Sequence, residues 1–207
     1  MKKHYFIGSG DYSQEIRKWS NFYKKINFAN FVDEKIRLNK FINKFKILDF
    51  KIFLKKKNID YTILIGNTVT REKLSKQLDK NKFMKNTSII FDTSQISEGV
   101  KIGKGSVIMN NVLIANDVKI GKNCHIHGNV IIGHNVIIND NVNIGAGVFI
   151  AGYSKIKKCA EVNSNSVIIK NKIIGDYATV GSGSVVINDV KKRTTVLGSP
   201  AKKIFDK

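Results

Sequence analysis

The sequence predicts two folds in one chain: an α/β N-terminal domain with a small Rossmann-like parallel sheet over residues 1–85, then a left-handed parallel β-helix of hexapeptide repeats over 86–207. Three observations carry this reading. Ile or Val recurs at every sixth residue from Ile90 to Val186, small or β-branched residues fall four places after it, and before residue 86 short apolar strands alternate with helical stretches.

In the first half, His4–Ile7 reads as a strand running into Gly8-Ser9-Gly10-Asp11-Tyr12-Ser13, and Glu15 to Tyr23 as a helix. Phe28–Glu34 reads as a strand ending in acids, Asp60–Asn67 as another, and Arg71 to about Leu78 as a Lys/Glu-rich helix. Strands alternating with helices imply a parallel sheet of the nucleotide-binding type, which takes its ligand beyond the carboxyl ends of its strands. Glycines 8 and 10 let the backbone approach a phosphate, with a helix N-terminus supplying amides. Ser13 stands where the dinucleotide fingerprint has its third glycine, so a plain tight turn is the competing reading.

In the second half, Ile90, Ile96, Ile102 and so on to Val186 occupy seventeen consecutive positions without an insertion. An α-helix cannot keep such a series on one face, because six residues advance it by about 600° and leave successive members about 120° apart. A parallel β-coil can, with each hexad giving a short strand and a turn and three hexads closing one triangular coil. Asn, Asp and Gly, frequent between the strands, suit turns because they tolerate left-handed backbone angles. Lys172 is the single break in the series of small residues, and Cys124 and Cys159 are expected to be structural.

Composition bounds the function. The chain has 207 residues, with Lys+Arg 36 against Asp+Glu 16 and a formal charge of +20. Its apolar runs are far shorter than the roughly 20 residues of a bilayer span, and no charged segment followed by an apolar stretch opens the chain, so a soluble cytoplasmic protein is expected. Two cysteines 35 residues apart make neither a disulfide framework nor a zinc site, and no metal is expected. The charge invites anionic partners. Phe28, Phe31, Phe41, Phe45, Phe50 and Phe53 fall in apolar patterns that read as core, not as the exposed aromatics of a nucleic-acid surface, so no nucleic acid is expected. A Lys-rich composition spread over solvated faces is the first reading of the charge, and a basic surface attracting phosphorylated small molecules is its main competitor.

Ile132-Gly133-His134-Asn135-Val136, Ala146-Gly147-Val148-Phe149-Ile150-Ala151-Gly152 and the ending Leu197-Gly198-Ser199-Pro200-Ala201-Lys202, behind an α/β domain, resemble the sugar acyltransferases typified by the bacillosamine-pathway N-acetyltransferases and the sialic-acid O-acetyltransferases. The resemblance implies a homotrimer with active sites between neighbouring β-helices, acetyl-CoA lying along the β-helix, and an N-terminal domain holding the nucleotide part of a sugar nucleotide. It implies that His134 is the general base and that the Gly152 amide faces the oxyanion. Imidazole is the side chain best matched to base catalysis near neutral pH. The hexad register independently turns His134 outward; His4, His125 and His127 lie outside the motif, although the last two are on the preceding coil. In the family an acid follows the base, whereas Asn135 stands here, able to orient the ring without adding charge.

Carried over by position, Asn143, Ser164, Ser182, Pro200 and Lys202 match the cofactor groove. Gly8, Gly10, Asp11 and Tyr12 match the loop contacting the sugar nucleotide, Asp33 and Glu34 an acidic pair bonding uracil or ribose, and Gly66 and Arg71 the third loop. The expected activity is acetyl-CoA-dependent N-acetylation of a nucleotide-linked amino-dideoxy sugar for surface glycans. O-acetylation of a sialic-acid-like sugar and a non-catalytic β-helix binding module are the alternatives. The absent acid beside His134 favours an amine, which needs a weaker base than a hydroxyl.

Overall fold

A computed structural model describes residues 2–20, 26–33, 41–42 and 44–206. The chain divides into two compact units, Met1–Thr87 and Ser88–Lys207.

In the first unit the strands are β1 (His4–Ile7), β2 (Phe28–Asp33), β3 (Phe41–Ile42), β4 (Phe45–Lys46), β5 (Leu48–Asp49), β6 (Ile59–Ile63) and β7 (Met84–Asn86), and the helices α1 (Asp11–Ser20), α2 (Phe50–Phe53) and α3 (Thr68–Leu78). The order β5-β2-β1-β6-β7 forms one sheet, parallel at every pair, with β1 central. A central strand covered on both faces is buried along its length, as all four residues of β1 are, His4 with its ring bonded to Thr62. The Phe53, Tyr61, Ile63, Leu74 and Leu78 side chains complete the core beside it.

Both long helices begin earlier than the sequence reading has them. α1 starts at Asp11, and Tyr23, where the reading ended it, lies outside the described residues. α3 starts at Thr68 because the Asn67 side chain caps it, accepting from Thr70 N at 2.8 Å. The strand read to Asn67 ends at Ile63, and α2, capped by Asp49, had no counterpart in the reading. Phe31, Phe50 and Phe53 are buried as expected, but Phe41 is 60% exposed on the small β3–β4 ribbon.

The second unit is a left-handed β-helix with three parallel faces. The first face starts at Ile89–Ile90, the second at Gln95–Ile96 and the third at Lys101–Ile102, and up to the last coil each strand pairs with the one eighteen residues on, as Leu113 does with Ile131 and Ile131 with Phe149. From Ile108 to Val186 nearly every sixth residue is buried in one continuous core. Each full burial of such a side chain stabilises by roughly 1.5–3 kcal/mol. Ile90 and Ile96 are partly exposed, since the first coil has a neighbour on one side only.

The turns repeat as strictly as the core. Every sixth residue from Gly99 to Gly183 has positive φ, and most are Gly or Asn, the residues that tolerate the left-handed region. Serines in the inward small positions are satisfied by carbonyls of the next coil, as in Ser154 Oγ to Ile169 O at 3.0 Å and Ser106 Oγ to Gly121 O at 2.8 Å. A buried hydroxyl without such a bond costs stability. Cys124 and Cys159 are buried free thiols within this lattice. The chain ends in an antiparallel pair, Thr194–Leu197 with Lys202–Asp206.

Candidate active site

His134 stands in the second place of the turn Gly133–Val136, at the corner where the second face, Ile131–Ile132, passes to the third, Ile137–Ile138. It is exposed, as the register requires. Asn135 follows in the left-handed region, φ 58°, and this conformation brings its Oδ1 to 3.0 Å from His134 Nδ1. An amide oxygen accepts, so Nδ1 donates, and of the two neutral tautomers the bond selects the one whose lone pair is on Nε2.

Gly152 occupies the same corner one coil on. A Cβ there would lie 2.8 Å from both Nε2 and Cε1 of His134, so only glycine leaves the ring room. Among the described residues the Gly152 N–H has no hydrogen-bond acceptor, whereas its neighbour Tyr153 donates to His134 O at 3.1 Å. His134 Nε2 and Gly152, whose amide is unengaged, thus border one small notch. That pairing is what acyl transfer requires, a proton acceptor beside a donor for developing negative charge.

Tyr153 forms the wall of the notch and had no place in the sequence reading. Its ring meets that of His134 edge to face, and its φ of 62° puts a bulky residue where the repeat elsewhere prefers Asn or Gly. The break in that column was visible in the sequence.

The residues matched to the cofactor groove are not beside His134 within one chain. Asn143 lies on the first face, in the same ladder as the buried His125. Ser164 and Ser182 sit in turns between the first and second faces, Pro200 in the turn before the last strand, and Lys202 exposed at the start of that strand. His127 also lies between the first and second faces, so neither His125 nor His127 shares the corner of His134.

In the first unit a cavity of about 320 Å³ opens at the carboxyl ends of β1, β2 and β6. Its walls bring together Gly8, Gly10, Tyr12, Asp33 and Gly66, and add Ser9 and Thr70, which the sequence reading did not single out. Gly8 has φ 111°, and a Cβ would meet Leu64 O at 2.9 Å, so the β1 turn admits only glycine. A Cβ on Gly10 would meet nothing, so no packing demand explains that glycine. Ser9 Oγ donates to Asp33 Oδ2 at 2.5 Å, fixing the carboxylate at the mouth of β2. Burial raises the Tyr12 phenol well above its ordinary pKa, opposed by the Arg71 charge.

Arg71 is buried and does not line the cavity; it donates to Ile65 O at 2.7 Å and Gly66 O at 3.2 Å and so braces the third loop to which the sequence reading matched it. Asp11 is exposed at the start of α1 and does not line the cavity, and Glu34 lies outside the described residues. Among the described residues no group of three His, Cys, Asp or Glu side chains could hold a metal ion. No helix among them is long and apolar enough to cross a membrane.

The chain thus joins a parallel α/β unit to a hexapeptide β-helix with a histidine at one corner. Residues 117–152, which include His134 and Gly152, match the family described as bacterial transferase hexapeptide (six repeats). Among solved structures, a variant of perosamine N-acetyltransferase from Caulobacter crescentus, in complex with CoA and GDP-perosamine, superposes with a TM-score of 0.90 at 20% identity, covering 100% of this chain and 98% of that one. The acetyltransferase domain of PglB from Neisseria gonorrhoeae, in complex with acetyl coenzyme A, gives 0.88 at 20% identity, covering 98% and 99%. WeeI from Acinetobacter baumannii gives 0.74 at 24% identity, covering 99% and 100%. No curated protein sequence matches the chain. At these identities the likeness is one of fold.

Proposed function

We propose that the protein is an acetyl-CoA-dependent N-acetyltransferase acting on the amine of a nucleotide-linked amino-dideoxy sugar, in the cytoplasm, for surface glycans. The observation that carries it is the notch where His134 Nε2 adjoins Gly152, so closely that a Cβ there would lie 2.8 Å from the ring. A structure with GDP-perosamine bound and another with acetyl coenzyme A bound share the fold, which supports the substrate class.

The coenzyme supplies an activated thioester. His134 Nε2 accepts the proton of the attacking amine, held in the right tautomer by Asn135. The Gly152 N–H donates to the carbonyl oxygen as charge develops there. A C–N bond forms, the C–S bond breaks, and the proton held by His134 is available to the leaving thiolate. In the first unit Asp33 is the proposed acceptor for a ribose or base donor, with Gly8, Gly10 and Gly66 letting backbone approach the ligand.

The assembly we propose is a homotrimer. Two features support it: Leu113, Ile131 and Phe149 form an exposed apolar column on the second face, and the cofactor positions Ser164 and Ser182 stand across that face from His134. A neighbouring copy would bring the second set to the first.

The test is turnover of acetyl-CoA with UDP-, GDP- and dTDP-linked amino sugars, followed by thiol release. Acetylation of one of these amines, lost by about 10² or more in His134→Ala, is expected. Acetylation of a free nonulosonate alone would favour O-acetyl transfer, and no binding of acetyl-CoA would leave a non-catalytic module.

A further inference from the structure

Below Asn135, on the third face, lies a hollow of about 350 Å³ walled by Gly99, Lys101, Asp117, Lys119, Asn135 and Ile137. Asn135 belongs both to this wall and to the hydrogen bond that orients His134. Lys101 and Lys119 are direct partners in a parallel ladder whose later rungs are Ile137, Lys155 and Ile173. Like charges placed opposite each other in a sheet are destabilising. Among the described residues neither lysine forms an ion pair. Asp117 lines the same hollow and accepts from Asn116 Nδ2 at 2.9 Å. Gly99 below it keeps that carboxylate in place, since a Cβ there would approach Asp117 Oδ1 to 2.6 Å.

We propose that this hollow is an acceptor subsite for a sugar phosphate: Lys101 and Lys119 bind its phosphate oxygens, and Asp117 accepts from its sugar hydroxyls. The proposal rests on the acetyl-transfer reading and deepens it, because the hollow opens beside the base that the amine must reach. Both substrates of that reaction carry a diphosphate, which is the shared chemistry the lysines recognise. The acceptor is favoured because a carboxylate in the same wall as the lysines repels a ligand that offers only phosphates and suits one that adjoins hydroxyl donors.

The test uses the full chain with Lys101→Gln/Lys119→Gln, two exposed positions whose replacement leaves the core intact. The KM for the nucleotide-linked amino sugar should rise about tenfold or more with the loss of two charge-assisted contacts, while kcat and the KM for acetyl-CoA hold. Titration with inorganic pyrophosphate should show weaker binding than the wild type, with Lys155→Gln, on the same ladder, as an unaffected control. A rise in the acetyl-CoA KM instead would assign the lysines to the coenzyme. Unchanged acceptor KM and pyrophosphate affinity, or equal weakening by Lys155→Gln, would overturn the proposal. Absence of turnover in the wild type would count against acetyl transfer alone, because the pyrophosphate titration decides the subsite without it.

Discussion

Tyr153 meets His134 edge to face, with ring centroids 4.9 Å apart and planes at 88°, and it does so from a left-handed backbone conformation. Tyr177 adopts the same conformation at another corner, where its ring packs against Lys158 and Arg193 instead. For an L-residue without a short polar side chain this conformation costs about 1 kcal/mol or more. At Tyr153 that cost coincides with a contact to the proposed base, and strained residues of this kind gather at functional sites.

Replacement of each tyrosine by asparagine separates strain from function. Both Tyr153→Asn and Tyr177→Asn should gain about 1 kcal/mol at most in thermal unfolding, less whatever ring contact is lost. Only Tyr153→Asn should lower kcat, by several-fold, as the His134 ring loses a wall. Equal kcat for the two variants would remove Tyr153 from the site.

Gly152→Ala should fold, since Gly152 does not have the positive φ seen at the turn glycines, yet lose activity. The added methyl would displace His134 Nε2, and a misplaced catalytic group costs on the order of 10² in rate. Circular dichroism matching the wild type with kcat down by that factor is the expected pair of results. A fully active alanine variant would show that the notch is not the reaction site.

If each site draws on two copies, two inactive variants should rescue each other. His134→Ala mixed with Ser182→Trp, after dissociation and reassembly, should regain a fraction of wild-type turnover that neither shows alone. Recovery of nothing, from hetero-oligomers shown to form, would place both corners in separate roles within one chain.

The first unit should weaken in acid for a reason unconnected with catalysis. His4 is buried on β1, its Nε2 2.8 Å from Thr62 Oγ1, and burial lowers its pKa to about 4, partly offset by Asp60. The unfolded chain takes up this proton near its ordinary value of 6.5 while the folded chain resists until about 4. Stability contributed by the neutral ring is therefore full above about pH 6.5 and is lost as pH falls toward 4, by roughly 3 kcal/mol at about 1.4 kcal/mol per unit. Denaturant unfolding of the wild type and His4→Gln between pH 7.5 and 4 should show a smaller acid loss in the variant.

The β-helix was legible because one constraint, an inward aliphatic every sixth residue, is satisfied by the fold and by no other common one; Ile132, Ile138 and Ile144 are all but inaccessible to solvent. The same register placed His134 outside and Gly152 above it. Tyr153 escaped because a tyrosine in a turn column carries no apolar period, and only the coil-to-coil geometry turns its ring onto His134. The burial of Arg71, matched by position to the third loop, was not legible: a charged residue reads as exposed, yet a guanidinium with two carbonyls to serve can be wholly buried. The helix starts were missed by a few residues, because the capping atoms belong to side chains, Asn67 among them, that also read as loop.

The eighteen-residue interval between His134 and Gly152 acts as a ruler with a single graduation. An insertion of six residues between them would carry the glycine to another corner of the triangle, and an insertion of a whole coil would lift it one rung, about 4.8 Å, out of reach of the imidazole. The stretch from 134 to 152 therefore tolerates substitution on its outward positions but no change of length, so gain and loss of coils in such a chain is confined to segments on either side of that span.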